Sequence, residues 1–326
     1  MSRLKTILRL AVSAALVAWV LHRSPLGEVK EAFRSADLRF VLLALALTPF
    51  GYWSSVSRWR LLIRSQGGDA PFGFLVRSFL VGVFFNNLLP STIGGDAVRA
   101  IDTARSGVGR AAAVAIVAVD RFVGLLALML FAGAGLLLSG HLTDRVPALY
   151  GWVAGGAVAM GLVAALLFLP SRRAPDLLAR LGNRLPEKWG GLFNRISGAF
   201  FAFQGRGDVL AKAFAWSLVL QTLVVLNGWL LAKALHVPIA LPYFFLIVPL
   251  AVFLMMVPVS INAIGVRENV WAFFFAAFGV AAAKAVALAW LDYGLVLLQA
   301  LTGGILYLMR SKASPSPEES ALGVAP

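Results

Sequence analysis

The reading of this chain turns on NNLLPSTIGGDAVRA, residues 86–100. An apolar run ends in Asn86 and Asn87, a proline follows at Pro90, then Gly94 and Gly95, then Asp96 and Arg99. Proline lacks a backbone donor and stops a helix. The paired glycines let the backbone turn or approach another group closely. An amide surrounded by hydrocarbon needs hydrogen-bond partners. Asp96 and Arg99, three residues apart, share a face if the chain resumes as a helix. Breakers, amides and charges are thus collected in a chain that otherwise reads as lipid-soluble. Such groups inside a bilayer usually mark a functional site.

A second stretch, MMVPVSINAIGVREN (residues 255–269), has the same design. Pro258 ends an apolar run, Ser260 and Asn262 can satisfy freed backbone groups, and Gly265 precedes Arg267 and Glu268. The spacing from proline to arginine is the same in both. Pro90, Pro258 and Gly265 are read as hinges. Both stretches also admit a plainer reading. Asp96 and Arg99 can staple a turn, and Glu268 at a helix start is favourable against the helix dipole without any function.

The surrounding composition sets the class. Of the 326 residues, 60% are hydrophobic and 13% charged, with a mean hydropathy of +0.84. A soluble domain is nearer about half apolar and about a quarter charged. The chain reads as an all-α, polytopic membrane bundle. Cysteine is absent, which excludes disulfides and thiolate chemistry. His22, His141 and His236 are widely separated, and no metal site or cofactor is expected. The net charge of +14 would suit nucleic acid, but no soluble basic domain carries it. Lipid headgroups, anionic or amine-bearing, are the expected partners.

Apolar runs long enough to cross about 30 Å of hydrocarbon predict about eight spans, near 6–21, 40–62, 111–138, 149–170, 209–235, 241–258, 267–280 and 284–309. The first and seventh are short. No cleavage site follows the first, so it reads as a retained helix. Residues 72–90 read as a re-entrant helix, followed by a short helix near 96–104. Non-helical backbone at that depth must be covered by protein or line a cavity. Residues 1–310 form the expected membrane domain and 311–326 a polar, disordered tail.

Most Lys and Arg residues, Arg58 and Arg99 among them, then fall on the side of the N-terminus. That bias predicts a multi-pass protein of the cell membrane with both termini cytoplasmic. In the 171–207 loop, Leu192, Phe193, Ile196, Phe200 and Phe203 recur at helical spacing. They predict a helix lying in the interface or docked on the bundle. The two proline-to-arginine stretches suggest an internal repeat. Parallel, inverted and chance origins all remain open, because this topology puts both on one side.

Three further ionisable residues sit inside predicted spans. Adjacent helical residues diverge by about 100°, so Asp120 and Arg121 are expected to find partners on other helices. Asp292 occupies a comparable place in the last span. Substrate contact and structural ion pairing are alternatives for all three. Gln221 and Asn227 read as interhelical hydrogen-bonding groups, Lys233 as snorkelling, and Trp53, Trp59, Trp189 and Trp229 as an aromatic belt.

The segments NNLLPSTIGGDAVRA, VDRFVGLL (119–126) and PVSINAIGVRE (258–268) resemble the transmembrane region of lysylphosphatidylglycerol synthases, the flippase-like family. Members often carry glycine where this chain has Ala263. The resemblance implies a bundle of about eight spans that moves lipids between leaflets, without the aminoacyl-transferase domain of bifunctional members. It points to a translocase that is not an enzyme. There is no Walker-type loop for nucleotide hydrolysis. The expected substrate-binding set is Asn86, Asn87, Gly94, Gly95, Asp96, Arg99, Asp120, Arg121, Ser260, Asn262, Arg267, Glu268 and Asp292. Arginines would hold a phosphate bidentately, and the carboxylates would balance them. A membrane-embedded enzyme using Asp96, Asp120 and Glu268 as acids or bases, and a carrier of small anions, are the alternatives.

Overall fold

The structure is a computed structural model that describes residues 26–88, 93–138, 148–168, 173–184, 186–257 and 260–309. The expected first span and the polar tail lie outside the described residues, as do Pro90 and Pro258. Every regular element among the described residues is helical. In chain order these are α1 (Leu26–Arg34), α2 (Leu38–Ser65), α3 (Phe72–Leu88), α4 (Ile93–Ala104), α5 (Arg110–Leu138), α6 (Ala148–Phe168), α7 (Arg173–Asn183), α8 (Glu187–Phe201), α9 (Gly207–Ala234), α10 (Leu241–Met255), α11 (Val266–Ala276) and α12 (Ala282–Leu308).

Five of these, α2, α5, α6, α9 and α12, are long and apolar enough to cross a membrane. The chain is a polytopic helical membrane protein. The surface of α6 carries exposed Trp152, Val158 and Leu162, as lipid-facing positions would. Helix α10 is apolar but shorter, at 15 residues. The expected seventh crossing is corrected. Helix α11 has only 11 residues, about 16 Å at ~1.5 Å per residue, half of what a crossing needs.

A repeat does organise the fold. Helices α2 and α9 both have 28 residues. Each is followed by an apolar short helix, a break, a second short helix and a long helix, namely α3–α4–α5 and α10–α11–α12. The two halves interlock: α2 packs on α9, α3 on α12, and α10 on α5. Matching helices α2 and α9 run antiparallel. Asn227 donates to the Ala44 carbonyl while Ser54 donates to that of Trp216, so numbering rises along one as it falls along the other. The relation is therefore inverted. The sequence reading left this open, because counting α10 and α11 as separate crossings put both breaks on one side.

Two apolar cores hold the bundle. One gathers Val56, Trp59, Leu62, Leu75, Ile116 and Phe203. The other gathers Phe131, Leu231, Phe244, Trp271, Phe274 and Leu288. Along α9, Ala213 belongs to the first and Val225 to the second. Ser217 and Gln221, buried between them, mark a polar layer. Helix α8 packs on α5 and Phe203 beyond it is fully buried. Of the two readings of that segment, docking on the bundle is the one observed.

Candidate functional site

The first break is closed by its own amides. Asn86, at the end of α3, accepts from the Gly95 backbone N–H at 2.7 Å, across residues 89–92. Asn87 donates back to the Val83 carbonyl at 2.9 Å. The Gly95 backbone lies against Gly82, and a Cβ there would meet the Gly82 carbonyl and the Asn86 amide. No other residue fits this crossing of α3 and α4. Gly94 sits half-buried in the first turn of α4.

Helix α4, so placed, presents Asp96 and Arg99 to α5. The two barely pair with each other, at 4.0 Å. Each instead finds a partner across the interface. Arg121 forks onto Asp96, with its Nε and Nη2 atoms 3.0 and 2.8 Å from Oδ1. Arg99 donates from Nη2 to Asp120 Oδ2 at 2.8 Å. The divergence of Asp120 and Arg121 along α5 leads to different partners, as expected from helical geometry.

Asp120 has a second cation. Arg58, on α2, donates from Nε to Asp120 Oδ1 at 2.6 Å and from Nη1 to Ser217 Oγ at 2.7 Å. Both oxygens of a carboxylate that is 1% exposed are thereby occupied. The Arg99 guanidinium also lies over the Trp59 ring at 4.6 Å. The Trp59 indole donates to Thr103 at 3.0 Å. Two sequence readings are corrected here. Arg58, counted only among the cations on the side of the N-terminus, is buried inside the bundle, and Trp59 belongs to no surface belt, being wholly buried. The signal for Arg58 was present in Ser54, Ser55 and Arg58, polar residues three and four apart inside a span.

At the second break the backbone itself is unusual. Asn262, Ala263 and Gly265 all have positive φ, at 51°, 57° and 83°. The left-handed region favours glycine, with Asn the best tolerated alternative. Asn262 donates to the Asn87 carbonyl at 2.8 Å, so the two breaks touch directly. Glu268 accepts from the Gly265 N–H at 2.8 Å, and Asn269 donates to the Gly265 carbonyl at 2.6 Å. Glu268 thus caps its own helix, the plainer of its two readings. Ser260 is buried, and its hydroxyl has no partner among the described residues. Arg267 lies over the Tyr293 ring at 4.6 Å, and its charge acts on Asp292.

A cavity of about 440 Å³ opens between the two halves. Of the expected site residues, Asn86, Arg99, Asp120, Arg121 and Asp292 line it, together with Arg58. Asn87, Gly94, Gly95, Asp96, Ser260, Asn262, Gly265, Arg267 and Glu268 are not among its lining residues. Leu220, Leu223, Val248, Val252, Leu288 and Val296 supply an apolar side. Two buried donors that line it, the Tyr52 hydroxyl and the Trp271 indole N–H, have no partner among the described residues. The ion-paired network of Arg58, Arg99 and Arg121 with Asp96 and Asp120 carries three positive charges against two negative ones.

Comparison with known proteins places this architecture. Residues 6–303 match the family described as lysylphosphatidylglycerol synthase TM region. A UPF0104 membrane protein of Pyrococcus horikoshii is 23% identical over 95% of this chain and 98% of its own length. A UPF0104 membrane protein of Methanothermobacter thermautotrophicus is 38% identical over 87 residues, 26% of this chain and 25% of its own.

Proposed function

Since the chain belongs to the lysylphosphatidylglycerol synthase transmembrane-region family, we propose that it moves a lipid with an anionic headgroup between leaflets, without nucleotide hydrolysis. The observation that carries this reading is the uncompensated cation beside an apolar-sided cavity. Three arginines against two aspartates leave room for one further anion. A guanidinium can fork onto a phosphate while keeping part of its existing pairing. The apolar wall suits the glycerol and upper acyl carbons of the same molecule. An inverted repeat whose breaks meet between the halves is the arrangement in which transporters bind substrate near mid-depth.

The protein is proposed to sit in the cell membrane with both termini cytoplasmic, and α3–α4 and α10–α11 to enter the bilayer from opposite faces as re-entrant pairs. The test uses purified protein in phosphatidylcholine vesicles containing a headgroup-labelled phosphatidylglycerol. Loss of label from the outer leaflet, unaltered chemically and absent from protein-free vesicles, is the expected result. A chemically changed lipid would favour the enzyme reading, and uptake of free anion without lipid movement the carrier reading.

A further inference from the structure

The two intramembrane aspartates occupy the same position along matching helices, Asp120 counted from Arg110 in α5 and Asp292 from Ala282 in α12. Their surroundings differ. Asp120 is closed off by two guanidinium groups. Asp292 is half-buried and lines the cavity. Among the described residues it accepts no hydrogen bond and has no ion pair, although the Arg267 charge acts on it. Arg267 does not close onto it but stacks over the neighbouring Tyr293.

From this we infer that Asp292 is a proton-binding site which couples lipid movement to the proton gradient. The inference rests on the translocase reading and adds its driving force. A carboxylate facing a cavity that has to admit an anion repels it, and in a low-dielectric interior that repulsion is large. One proton, taken from one side onto an Asp292 oxygen, gives the neutral acid and removes the repulsion. It also leaves the Arg267 charge uncompensated, so the attraction for the headgroup rises. When the headgroup leaves, the same proton departs to the other side and the carboxylate is restored. No other bond changes. Proton and anion therefore favour each other's binding, and by linkage the effect is reciprocal. Intramembrane carboxylates at cavities commonly serve such relays.

Among the described residues the other charges near α12 and the cavity are engaged or exposed: Arg58, Arg99 and Arg121 are paired with Asp120 and Asp96. Helix α11 adds Glu268, engaged by the Gly265 backbone. Helix α3 has Arg77, which is exposed. Helix α9 has Asp208 and Lys212, both exposed, and Lys233 over the Trp229 ring. Helix α1 has exposed Glu28, Lys30, Glu31 and Arg34, and Lys284 of α12 itself donates to the His236 carbonyl.

The test is labelled-phosphatidylglycerol movement in vesicles with and without an imposed pH gradient, for the wild type and Asp292→Asn. The wild-type rate should change severalfold with the gradient. The variant, locked neutral, should move lipid at a rate the gradient does not alter. A gradient-insensitive wild type, or a variant that keeps the response, overturns the coupling. If the wild type moves no lipid under any condition, the translocase reading itself fails. Infrared spectroscopy then decides the protonation separately. A carboxyl C=O band that vanishes on alkalinisation, and is missing from Asp292→Asn, supports Asp292 as the proton site. The same band in both proteins, or in neither, overturns it.

Discussion

Around the first break, between α3 and α4, the charges are fastened. Arg58 and Arg99 take one oxygen each of Asp120, and Arg121 forks onto Asp96. Around the second, between α10 and α11, they are loose. Arg267 stacks on a ring, Asp292 faces the cavity unbonded, and the strain sits in the backbone instead. An inverted repeat need not use its two copies alike. One half supplies an ion-paired cationic floor, and the other a cavity-facing carboxylate beside a left-handed turn.

The largest effect expected from this contrast is on stability. Asp120→Ala leaves two buried guanidinium groups without an anion, and should destabilise by about 3–5 kcal/mol. The matching change, Asp292→Ala, should lower stability by less than about 1 kcal/mol, since no hydrogen bond is lost. Thermal unfolding of the detergent-purified variants measures both. Equal losses would show that the two aspartates are held alike and would erase the comparison.

Next in size are the close crossings. Gly95→Ala would drive a methyl group into the Gly82 carbonyl, and Gly303→Ala into the Leu80 carbonyl. Both oppose backbone, which cannot swing away as a side chain can. Each should cost about 1–3 kcal/mol by overpacking. A shift in Tm no greater than that of Gly151→Ala, where a Cβ meets nothing, would mean α3 can slide freely.

A smaller effect on stability, but a clear one on transport, is expected at Arg121. Its side chain is 49% exposed, so its ion pair contributes at most about 1 kcal/mol to folding. As a cavity cation offering a charge-assisted hydrogen bond of about 1.5 kcal/mol or more to a headgroup, its replacement in Arg121→Gln should slow lipid movement roughly tenfold. Unchanged rates with unchanged folding would remove Arg121 from the binding wall.

How far the sequence could be read follows the same division. Composition alone was enough for the helical membrane class, and the matched proline-to-arginine stretches marked both breaks. Helical divergence at Asp120 and Arg121 correctly sent their side chains to different partners. Arg58 was lost because a cation near a span end reads as a loop residue until packing buries it. The inverted relation stayed open in the sequence because two apolar runs, near 241–258 and 267–280, were each counted as a span, although Val266–Ala276 is too short for one. Which residues face the cavity depends on how α2 meets α9, a contact with no local signature.

The smallest and most specific expectation concerns Ala263. It holds φ 57° beside Asn262 at φ 51°, in a left-handed turn that costs a non-glycine residue about 1–2 kcal/mol. Ala263→Gly removes that strain but lends the unfolded chain freedom amounting to about 0.4–1 kcal/mol. The net gain should therefore be about 1 kcal/mol or less, visible as a slightly raised Tm. In an ordinary helical position such as Ala113 of α5, the same substitution should lower stability by about 1 kcal/mol. The sign is the informative quantity. A gain at 263 with a loss at 113 locates stored strain in the second break. A loss at both would place Ala263 in an unstrained conformation and leave Asn262 as the strained non-glycine residue of that turn.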